Sequence, residues 1–334
     1  MSDCPTMRAM VVEQPGGPDV LRPRELPRPE PRDGWTLVRV TAFGLNRSEL
    51  FTRRGLSPVV RFPRVLGIEC VGIVESSSDP GLPAGTVVAA AMGGMGRKFD
   101  GSYAQYTLLP TAQLMPVISH LPWHVLAAVP ESFLTAYGSL AALEARQGHR
   151  LLIRAATSSV GMAALSLAAA QGVEVAATTR DPGKTQNLLR HGAEHVVIDQ
   201  GGGLGKEVRA IWPDGADRVL DLVGGVTVLD SLRLLATGGR VCNSGILSNS
   251  WIIPEFEPLE DIPSGATLTT FSSSSVNSGD WARQALQQHL DEIDKGSRQV
   301  VIDRVFSLDE VSAAHHHMEN NRAVGKVVAV VQHA

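Results

Sequence analysis

The segment Leu151–Arg180 carries the clearest candidate chemistry, because a turn of small residues joins an apolar run to a helix-forming stretch. Leu151–Ile153 predicts a strand, and Met162–Ala170 predicts a helix that ends at Gly172. Val173–Thr178 predicts a second strand. This order is that of one βαβ unit of about 30 residues.

The turn Ala155–Gly161 is typical of the place where a dinucleotide pyrophosphate binds. Small residues let the backbone approach the phosphates, and the helix N-terminus offers N–H groups and a positive dipole end. The glycine fingerprint is incomplete, because Ala155 and Ser158 stand at two glycine positions and only Gly161 is retained. An ordinary turn without a ligand is the alternative. The strand–turn–helix–strand context favours a cofactor.

The end of the second predicted strand indicates which nucleotide would bind. NAD sites place Asp or Glu there to accept a hydrogen bond from the ribose 2′-OH. This chain has Thr178, Thr179 and Arg180, then Asp181 and, further on, Lys184. Hydroxyls and cations suit a 2′-phosphate, and Arg presents a planar fork of donors. A solvated Arg and Lys on a loop is the alternative; we predict NADPH, bound by Thr179, Arg180 and Lys184.

Composition excludes several other classes of protein. The net charge is -4 without a basic stripe, which disfavours nucleic acid as a partner. No apolar run approaches the ~18 residues of a membrane span, and the N-terminus lacks the apolar core of a signal peptide. The three cysteines are Cys4, Cys70 and Cys242; they are far apart and favour a reducing compartment. We predict a cytoplasmic protein with a small-molecule substrate.

The chain around the βαβ unit predicts two domains, since 334 residues suffice for two. The N-terminal part is mostly β, with predicted strands at Met7–Glu13, Trp35–Ala42 and Leu66–Val74. From about Ser132 strands and helices alternate, which predicts a doubly wound sheet of six strands. Its further predicted strands are His195–Ile198, Arg218–Leu222, Arg240–Ser244 and Thr267–Phe271.

The helices of that region and the C-terminal tail complete the predicted order. Helices are predicted at Lys184–His191 and at Val226–Ala236, the second closed by Gly238 and Gly239. The predicted elements of the tail are helix Asp280–Ile293, strand Val300–Asp303, helix Leu308–Glu319 with a capping box from Ser307 and Glu310, and strand Lys326–Val331. We expect the tail to return to the first domain, so that residues 1–131 and 273–334 form one domain and residues 132–272 are inserted.

This order resembles the medium-chain dehydrogenase/reductase superfamily over essentially the whole chain, and within it the zinc-independent quinone oxidoreductase branch. The segments that carry the resemblance are GLNRSELFTRRG (Gly44–Gly55), LGIECVGIV (Leu66–Val74), FDGSYAQY (Phe99–Tyr106), LTAYGSL (Leu134–Leu140), AATSSVG (Ala155–Gly161) and GKVV (Gly325–Val328). The resemblance implies an α/β protein: a GroES-like β-rich catalytic domain with an inserted six-stranded Rossmann domain.

The resemblance also implies a set of residues at the cofactor. Asn46 and Thr135 are expected beside the nicotinamide and its ribose, and Ser158, Ser159 and Val160 at the pyrophosphate. The other candidates, after the fifth and sixth strands and at the last strand, are Gly245, Ile246, Phe271, Ser272 and Lys326. Core packing is the alternative for Phe271, and a surface position for Lys326. Asn46 is the catalytic candidate, because it ends an alternating strand at an expected cleft.

The sequence departs from the zinc alcohol dehydrogenases of the superfamily at the ligand positions. Those enzymes have Cys where this chain has Asn46, and His where it has Ile68. Their four-cysteine lobe for a structural zinc has no counterpart. Zinc needs thiolate or imidazole ligands, usually three protein groups plus water. We predict no metal, and Glu69 alone does not make a site.

Other motifs are expected to play no part in catalysis. Gly93–Gly96 predicts a flexible loop, because no helix follows it, and Gly201–Gly205 predicts a mobile connection after the third strand. Three consecutive His, His315–His317, point in different directions on a helix and cannot all bind one ion, so a solvated helix is predicted. Tyr103 and Tyr106 could donate a proton, with buried aromatic packing as the alternative.

Together these features predict an NADPH-dependent reductase of quinones or other α,β-unsaturated carbonyl compounds. An enoyl-thioester reductase is an alternative, although Leu56 and Ser57 stand where relatives of that type have Tyr. A non-catalytic NADPH-binding structural or regulatory protein is a further one. A homodimer is expected, partly by resemblance and partly because Ala266–Phe271 would otherwise be an open apolar sheet edge.

Overall fold

The computed structural model describes residues 5–277 and 280–333, and the chain folds as two compact units. The first unit comprises Met1–Glu131, Val276–Asp294 and Ile302–Ala334, and the second comprises Ser132–Ser275 and Lys295–Val301. Two short segments that the sequence-based division gives to the first domain, 273–275 and 295–301, therefore belong to the second unit. The domain boundaries drawn from the sequence stay a proposal.

The elements of both units are numbered in chain order. The strands are β1 (Thr6–Val12), β2 (Leu21–Pro27), β3 (Trp35–Leu45), β4 (Arg64–Val65), β5 (Glu69–Ser76), β6 (Val87–Ala91), β7 (Tyr106–Pro110), β8 (Met115–Pro116), β9 (Arg150–Arg154), β10 (Glu174–Thr179), β11 (His195–Ile198), β12 (Ala216–Asp221), β13 (Leu235–Asn243), β14 (Thr267–Thr270), β15 (Ile302–Ser307) and β16 (Lys326–Val330). The α-helices are α1 (Arg47–Arg53), α2 (Trp123–Leu126), α3 (Pro130–Ala142), α4 (Ser159–Ala170), α5 (Thr185–Arg190), α6 (Leu204–Ile211), α7 (Val228–Arg233), α8 (Pro258–Asp261), α9 (Trp281–Asp294) and α10 (Val311–Glu319). Short 3₁₀ helices lie at Pro18–Val20, Thr111–Gln113, Pro182–Lys184, Ser273–Asn277 and Leu308–Glu310.

The first unit is built on two sheets. A three-stranded sheet has the order β2-β1-β4, and a seven-stranded sheet has the order β15-β16-β3-β5-β6-β8 with β7 paired to β3. The last strand of the chain lies antiparallel to β3, with Val328 opposite Gly44. One apolar core, with residues such as Val38, Phe43 and Tyr103, is buried between these elements. The tail strands β15 and β16 therefore extend the sheet that contains β3, the strand that ends directly before Asn46.

The second unit contains six parallel strands in the order β11-β10-β9-β12-β13-β14. This is the strand order 3-2-1-4-5-6 of the doubly wound dinucleotide fold, and it confirms the predicted fold class. The strands read as apolar runs because helices cover a parallel sheet on both faces. Its core includes Leu152, Ala176, Val219 and Val241 from four neighbouring strands. The carboxyl ends of these strands form the edge at which such folds bind ligands.

Two elements of the second unit differ from the sequence prediction. The helix predicted at Val226–Ala236 is shorter, and β13 already begins at Leu235. Gly238 and Gly239 lie within this strand, where its register with β12 shifts, instead of closing the helix. The reason is that Leu235 and Ala236 are buried by pairing with the sheet, and this packing overrides their helix propensity.

The prediction of a mobile connection over the whole of Gly201–Gly205 is wrong, because a helix begins within this segment. Gly203 has a φ of 85° and stands at the N-cap of α6, so the helix begins at Leu204. Leu204, Val208 and Trp212 recur at every fourth residue and are buried. That spacing is helical, but the preceding run of glycines obscured it.

The prediction of a solvated helix at the three consecutive His is wrong for the first of them. His315 is fully buried, and its Nδ1 lies 3.0 Å from Nη1 of Arg53. Its Nε2 lies 3.0 Å from the hydroxyl of Tyr103. An arginine is always a donor, so Nδ1 accepts and the neutral ring donates from Nε2. Burial, and then the charge of Arg53, hold the pKa of His315 well below its usual value.

The other two His of this run contact separate carboxylates, as the divergent directions of helical neighbours require. His316 lies 3.0 Å from Asp19, and His317 lies 2.6 Å from Asp303. Within residues 5–277 and 280–333, no cluster of three or more His, Cys, Asp or Glu has the geometry to hold a metal ion. The buried Tyr103 stacks on Phe43 at a ring distance of 4.8 Å.

One stretch is long and apolar enough to cross a membrane by length and composition alone. This stretch is Trp123–Ala142, and 78% of its most apolar window is buried inside the structure. The core helices of soluble proteins have the same property, so this stretch is weak evidence for a membrane span.

Candidate functional site

Asn46 lies where β3 ends and α1 begins, and the local sequence fixes it there. It is the N-cap of α1, with φ -130° and ψ 157°, and forms a capping box with Glu49. Its backbone N–H donates to Oε2 of Glu49 at 3.1 Å. Such a box satisfies N–H groups that the first helical turn leaves without partners. Asn46 is only 6% exposed, so its side chain needs partners as well.

Three charged groups surround the Asn46 amide, and we name them with it the Asn46 cluster: Asn46, Glu49, Glu69 and Lys326. Nζ of Lys326 donates to Oδ1 of Asn46 at 2.6 Å, and Nδ2 of Asn46 donates to Oε1 of Glu69 at 2.8 Å. Lys326 and Glu69 also form an ion pair at 2.6 Å, with side chains 2% and 0% exposed. These contacts fix which end of the amide carries its N–H groups.

The carboxyl of Glu49 has a pKa far above its ordinary value. Burial raises the pKa of this carboxyl to about 7, against hydrogen bonds that lower it, such as the one from the backbone of Ile68. The neighbouring Glu69 raises it further. Its Oε1 lies 3.5 Å from Nδ2 of Asn46, at the limit of a hydrogen bond. The second N–H of Asn46 is therefore weakly held and can be given to another acceptor.

The structure corrects the surface alternative for Lys326, which is almost fully buried. The sheet register explains its place. Val327 pairs with Leu45 in antiparallel strands, so the residue before Val327 falls opposite Asn46. Gly44 makes room for this contact, since a Cβ there would lie 2.3 Å from Cε of Lys326 and 2.4 Å from Oε1 of Glu69.

A second cation, which was not among the candidates from the sequence, lies at the same helix. Nη2 of Arg97 donates to Oγ of Ser48, in the first turn of α1. Within the part of the chain that the structure describes, Arg97 forms no ion pair, and its buried Nε has no partner. The glycine-rich segment 93–96 was predicted only as a loop, and it ends at this arginine. A glycine-rich loop directly before two cations, Arg97 and Lys98, was the available signal.

In the second unit, the turn after β9 has the geometry of a phosphate-binding turn. Ala155 has a φ of 58°, and its N–H donates to the Thr178 hydroxyl at 3.1 Å. Ser158 is the N-cap of α4, and its hydroxyl accepts from the N–H of Gly161 at 3.1 Å. A Cβ on Gly161 would lie 2.6 Å from the carbonyl oxygen of Ala156. Helix and turn thus pack as closely as the third glycine of the fingerprint requires.

Ser159 and Val160 begin α4, and their backbone N–H groups belong to the first helical turn. Such N–H groups have no partner within the helix. The Ser158 hydroxyl itself is used twice within the turn, since it also donates to the Ala155 carbonyl at 2.9 Å. This turn therefore offers a ligand mainly backbone N–H groups.

At the end of β10 an exposed cation, Arg180, is followed by Asp181, an acid that caps the next short helix. Arg180 is exposed, whereas Thr179 is buried. Asp181 caps the short helix that follows, accepting from the N–H of Gly183 at 2.9 Å. One oxygen of its carboxylate thus accepts a hydrogen bond from the backbone. Lys184 ends that short helix and is half-buried.

Two further sequence candidates of the second unit lie at α3: Thr135 is part of this helix, and Phe271 packs against it. Ser139, one turn after Thr135, donates to Oγ of Ser244 at 2.7 Å. A Cβ on Gly138 would lie 2.1 Å from the Phe271 ring, so that ring packs against α3. The structure thus places Phe271 in packing contact with the helix that carries Thr135.

The two loops beside Phe271 hold the other candidates of this unit. A Cβ on Gly245 would lie 2.3 Å from the carbonyl oxygen of Leu222, so this loop passes close to the end of β12. Ile246 follows Gly245 and is half-buried. Ser272 is exposed and pairs with the Ser274 hydroxyl at 2.8 Å. The structure assigns the candidates in 135–272 to the second unit, and Asn46 and Lys326 to the first.

Comparisons with known proteins agree with this architecture. Residues 32–119 match the alcohol dehydrogenase GroES-like domain, and residues 191–329 match the zinc-binding dehydrogenase family. The chain is 27% identical to the quinone oxidoreductase of Homo sapiens, over 97% of this chain and 98% of that protein. It is 30% identical over 96% of its length to a phenolphthiocerol/phthiocerol polyketide synthase of Mycobacterium tuberculosis, but spans only 15% of that protein.

Solved structures of similar fold include proteins described with each nicotinamide cofactor. Mycobacterial Rv1454c complexed with NADPH matches with a TM-score of 0.86 and 26% identity, over 97% of this chain and 99% of that one. An NAD-dependent alcohol dehydrogenase matches with a TM-score of 0.85 and 28% identity, over 98% and 100% of the two chains.

Proposed function

Because the chain belongs to the medium-chain dehydrogenase/reductase superfamily, in its quinone-oxidoreductase-like branch, we propose that it is an NADPH-dependent reductase of quinones or α,β-unsaturated carbonyl compounds that works without a metal. The observation that carries the proposal is the buried Asn46 amide, oriented by Lys326 on one side and Glu69 on the other. By resemblance, Asn46 stands where zinc-dependent members of the superfamily have a cysteine ligand.

The residues of the second unit fit a dinucleotide with a 2′-phosphate. The close packing of Gly161 on the turn supports a pyrophosphate site at the start of α4. The exposed Arg180 and the nearby Lys184 would hold the 2′-phosphate, since Asp181 caps the short helix that follows it. Thr135, Gly245, Ile246, Phe271 and Ser272 are proposed around the nicotinamide half. A bound NADPH supplies hydride.

The side chains present favour conjugated substrates. A saturated ketone needs a metal or a positioned acid to polarise its oxygen. Asn46 and Ile68 provide neither thiolate nor imidazole at the ligand positions. In a quinone or enone, charge spreads onto a distant carbonyl oxygen, which a hydrogen-bond donor can stabilise. The weakly held second N–H of Asn46 is the donor we propose, with the proton on carbon or oxygen coming from solvent.

The test is loss of NADPH absorbance across matched pairs of unsaturated and saturated carbonyl compounds. We expect turnover with 1,4-quinones and enones, and little with saturated ketones. Preference for the saturated members would contradict the proposal. Elemental analysis of the active protein, with a chelator control, tests the absence of metal; stoichiometric zinc whose removal abolishes activity would overturn it.

Cofactor preference is tested by Arg180→Ala. One lost charge-assisted contact should weaken NADPH binding about tenfold to a hundredfold and leave NADH binding nearly unchanged. The matched control is Arg233→Ala, since Arg233 is an exposed arginine on α7. An equal loss for both cofactors would show that Arg180 does not contact the 2′-phosphate.

An enoyl-thioester reductase is the second candidate, favoured by the similarity to a polyketide synthase. Its discriminating assay compares an enoyl thioester with a free enone of the same chain length. A kcat/KM that is higher for the thioester by about tenfold or more would favour it. Stoichiometric NADPH binding without turnover of any substrate in either panel would favour a non-catalytic role.

A further inference from the structure

A group of basic side chains lies towards the N-terminal ends of the parallel strands. The proposed nucleotide site lies at their carboxyl ends. Arg218 lies in β12 and Arg240 in β13, and the two pair directly in the parallel register. Neighbours in such a register point to the same face. Like charges placed side by side in a sheet destabilise it. Arg146 and His149 approach the same place from the loop between α3 and β9. We name these four residues the basic cluster.

The bonds within the cluster do not neutralise its charge. Nε of Arg146 and Nη2 of Arg218 lie 3.3 and 3.4 Å from the same atom, Nε2 of His149. Arg218 is only 9% exposed, and its buried Nε has no partner within the described residues. Its Nη1 donates to a backbone carbonyl, that of Asp217, at 2.7 Å. A buried guanidinium without a carboxylate is costly.

The nearby carboxylates are engaged by Arg150, outside the cluster, and by Arg240, a member of the cluster. Asp217 is held by Arg150 through two bonds, at 2.9 and 3.0 Å. Glu144 pairs with Arg240 at 3.0 Å. Arg146 and Arg218 are left without a direct ion pair in the described chain.

The ionisation behaviour of the cluster reflects its burial and its positive charges. Burial, and then the charge of Arg240, lower the pKa of Arg218, while the carboxylates of Asp217 and Glu144 act in the opposite direction. Burial also lowers the pKa of His149, followed by the charges of Arg218 and Arg146, while Asp217 and the backbone of Glu144 act in the opposite direction. The groups that face His149 therefore favour its neutral form.

We propose that the basic cluster is a binding site for a doubly charged oxyanion of the phosphate class, either free phosphate or a phosphomonoester. Arginine forks match the oxygens of phosphate, and a charge of about -2 would balance Arg146 and Arg218. The site is separate from the nucleotide turn, because Arg150 and Ala216 begin their strands at this end of the sheet while the turn follows the other end of β9. The inference does not depend on the proposed reductase activity.

The test is calorimetric titration of the full-length protein, saturated with NADP⁺, with inorganic phosphate at constant ionic strength. We expect one phosphate per chain. Arg218→Met and Arg146→Gln should each weaken binding about tenfold or more. Arg146 is exposed, so its variant keeps the test valid if Arg218→Met fails to fold. Arg61→Gln, at an exposed arginine of the first unit, is the matched control and should bind as the parent does.

Further measurements identify the ligand and the place where it binds. Glycerol 3-phosphate that binds more tightly than inorganic phosphate would assign the site to a phosphomonoester, and the reverse order would assign it to free phosphate. Acetate or chloride binding as well as phosphate would overturn the proposal, as would loss of phosphate binding on saturation with NADP⁺. In labelled protein followed by NMR, phosphate should raise the pKa of His149, because an anion favours the imidazolium. An unchanged pKa would show that the cluster only packs the sheet edge.

Discussion

Asn46 is held by a lysine and a carboxylate, Lys326 and Glu69, that form an ion pair with each other. The pair is almost fully buried, and burying one unpaired charge costs far more than burying a neutral pair. Asn46 also connects the pair to Glu49 through its own backbone and side chain. A substitution in this cluster is therefore expected to change stability as well as catalysis.

Lys326→Met should destabilise the protein by about 3–5 kcal/mol, because it leaves the Glu69 carboxylate buried without its partner. The double variant Lys326→Met/Glu69→Gln should recover much of this loss, since both charges are gone. Urea unfolding of the single and double variants measures the coupling. Lys98→Met, at an exposed lysine, is the control and should have little effect. A double variant no more stable than Lys326→Met would contradict the ion-pair explanation.

Glu49 should make stability depend on pH in a defined window. Its pKa is about 7 in the folded protein, above the ordinary value of 4.5. Between these values the unfolded chain has lost the proton and the native chain retains it, so stability falls as pH rises. Glu49→Gln removes this proton equilibrium. Its stability relative to the parent should therefore rise from pH 4.5 to 7 and then level off, as urea unfolding at several pH values will show. A difference that is constant with pH would contradict the raised pKa.

At the scale of elements, the turn between β9 and α4 depends on the absence of a side chain at one position. Gly161 lies within van der Waals distance of the Ala156 backbone, which cannot move aside as a flexible side chain would. The small residues of this turn therefore serve two purposes: they allow close packing of the helix, and they leave its first N–H groups accessible.

Gly161→Ala should destabilise the second unit by about 1–3 kcal/mol, as overpacking does, and weaken cofactor binding with it. The matched control is Gly205→Ala in α6, where an added Cβ would meet only Leu234 at 3.6 Å. That substitution should stabilise by about 0.4–1 kcal/mol through the unfolded state. Thermal unfolding and cofactor titration of both variants measure the contrast. Equal effects of the two substitutions would show that the turn is not closely packed.

At the scale of the whole molecule, β14 is an edge strand of the second unit, paired only with β13 among the described strands. An open edge presents unpaired N–H and C=O groups to another chain. We predict a homodimer through this edge, which light scattering at micromolar concentration tests. Thr270→Lys, at an exposed residue of β14, should weaken the dimer. A parent protein that is monomeric would contradict the prediction.

The local features of this protein followed from the sequence because each depends on residues close together in the chain. The βαβ unit is defined by apolar runs and a turn within one segment. The capping box of Ser307 and Glu310 joins residues three apart, and the structure confirms it. Leu235 was assigned wrongly because burial against the sheet, which a local pattern does not contain, decided its element. Gly203 was assigned wrongly because the run of glycines obscured the helical spacing of the residues that follow it.

The Asn46 cluster was decided by tertiary structure. Asn46 and Lys326 were separate candidates in the sequence, 280 positions apart, and the antiparallel register of β16 on β3 brings them together. The burial of His315 and the contact of Arg97 with Ser48 likewise join distant segments. The sequence by itself determined the type of fold and the chemical types available, since periodicity and turn residues act locally. Which charged groups meet, and which are left without a counter-charge, depended on strand pairing across the whole chain.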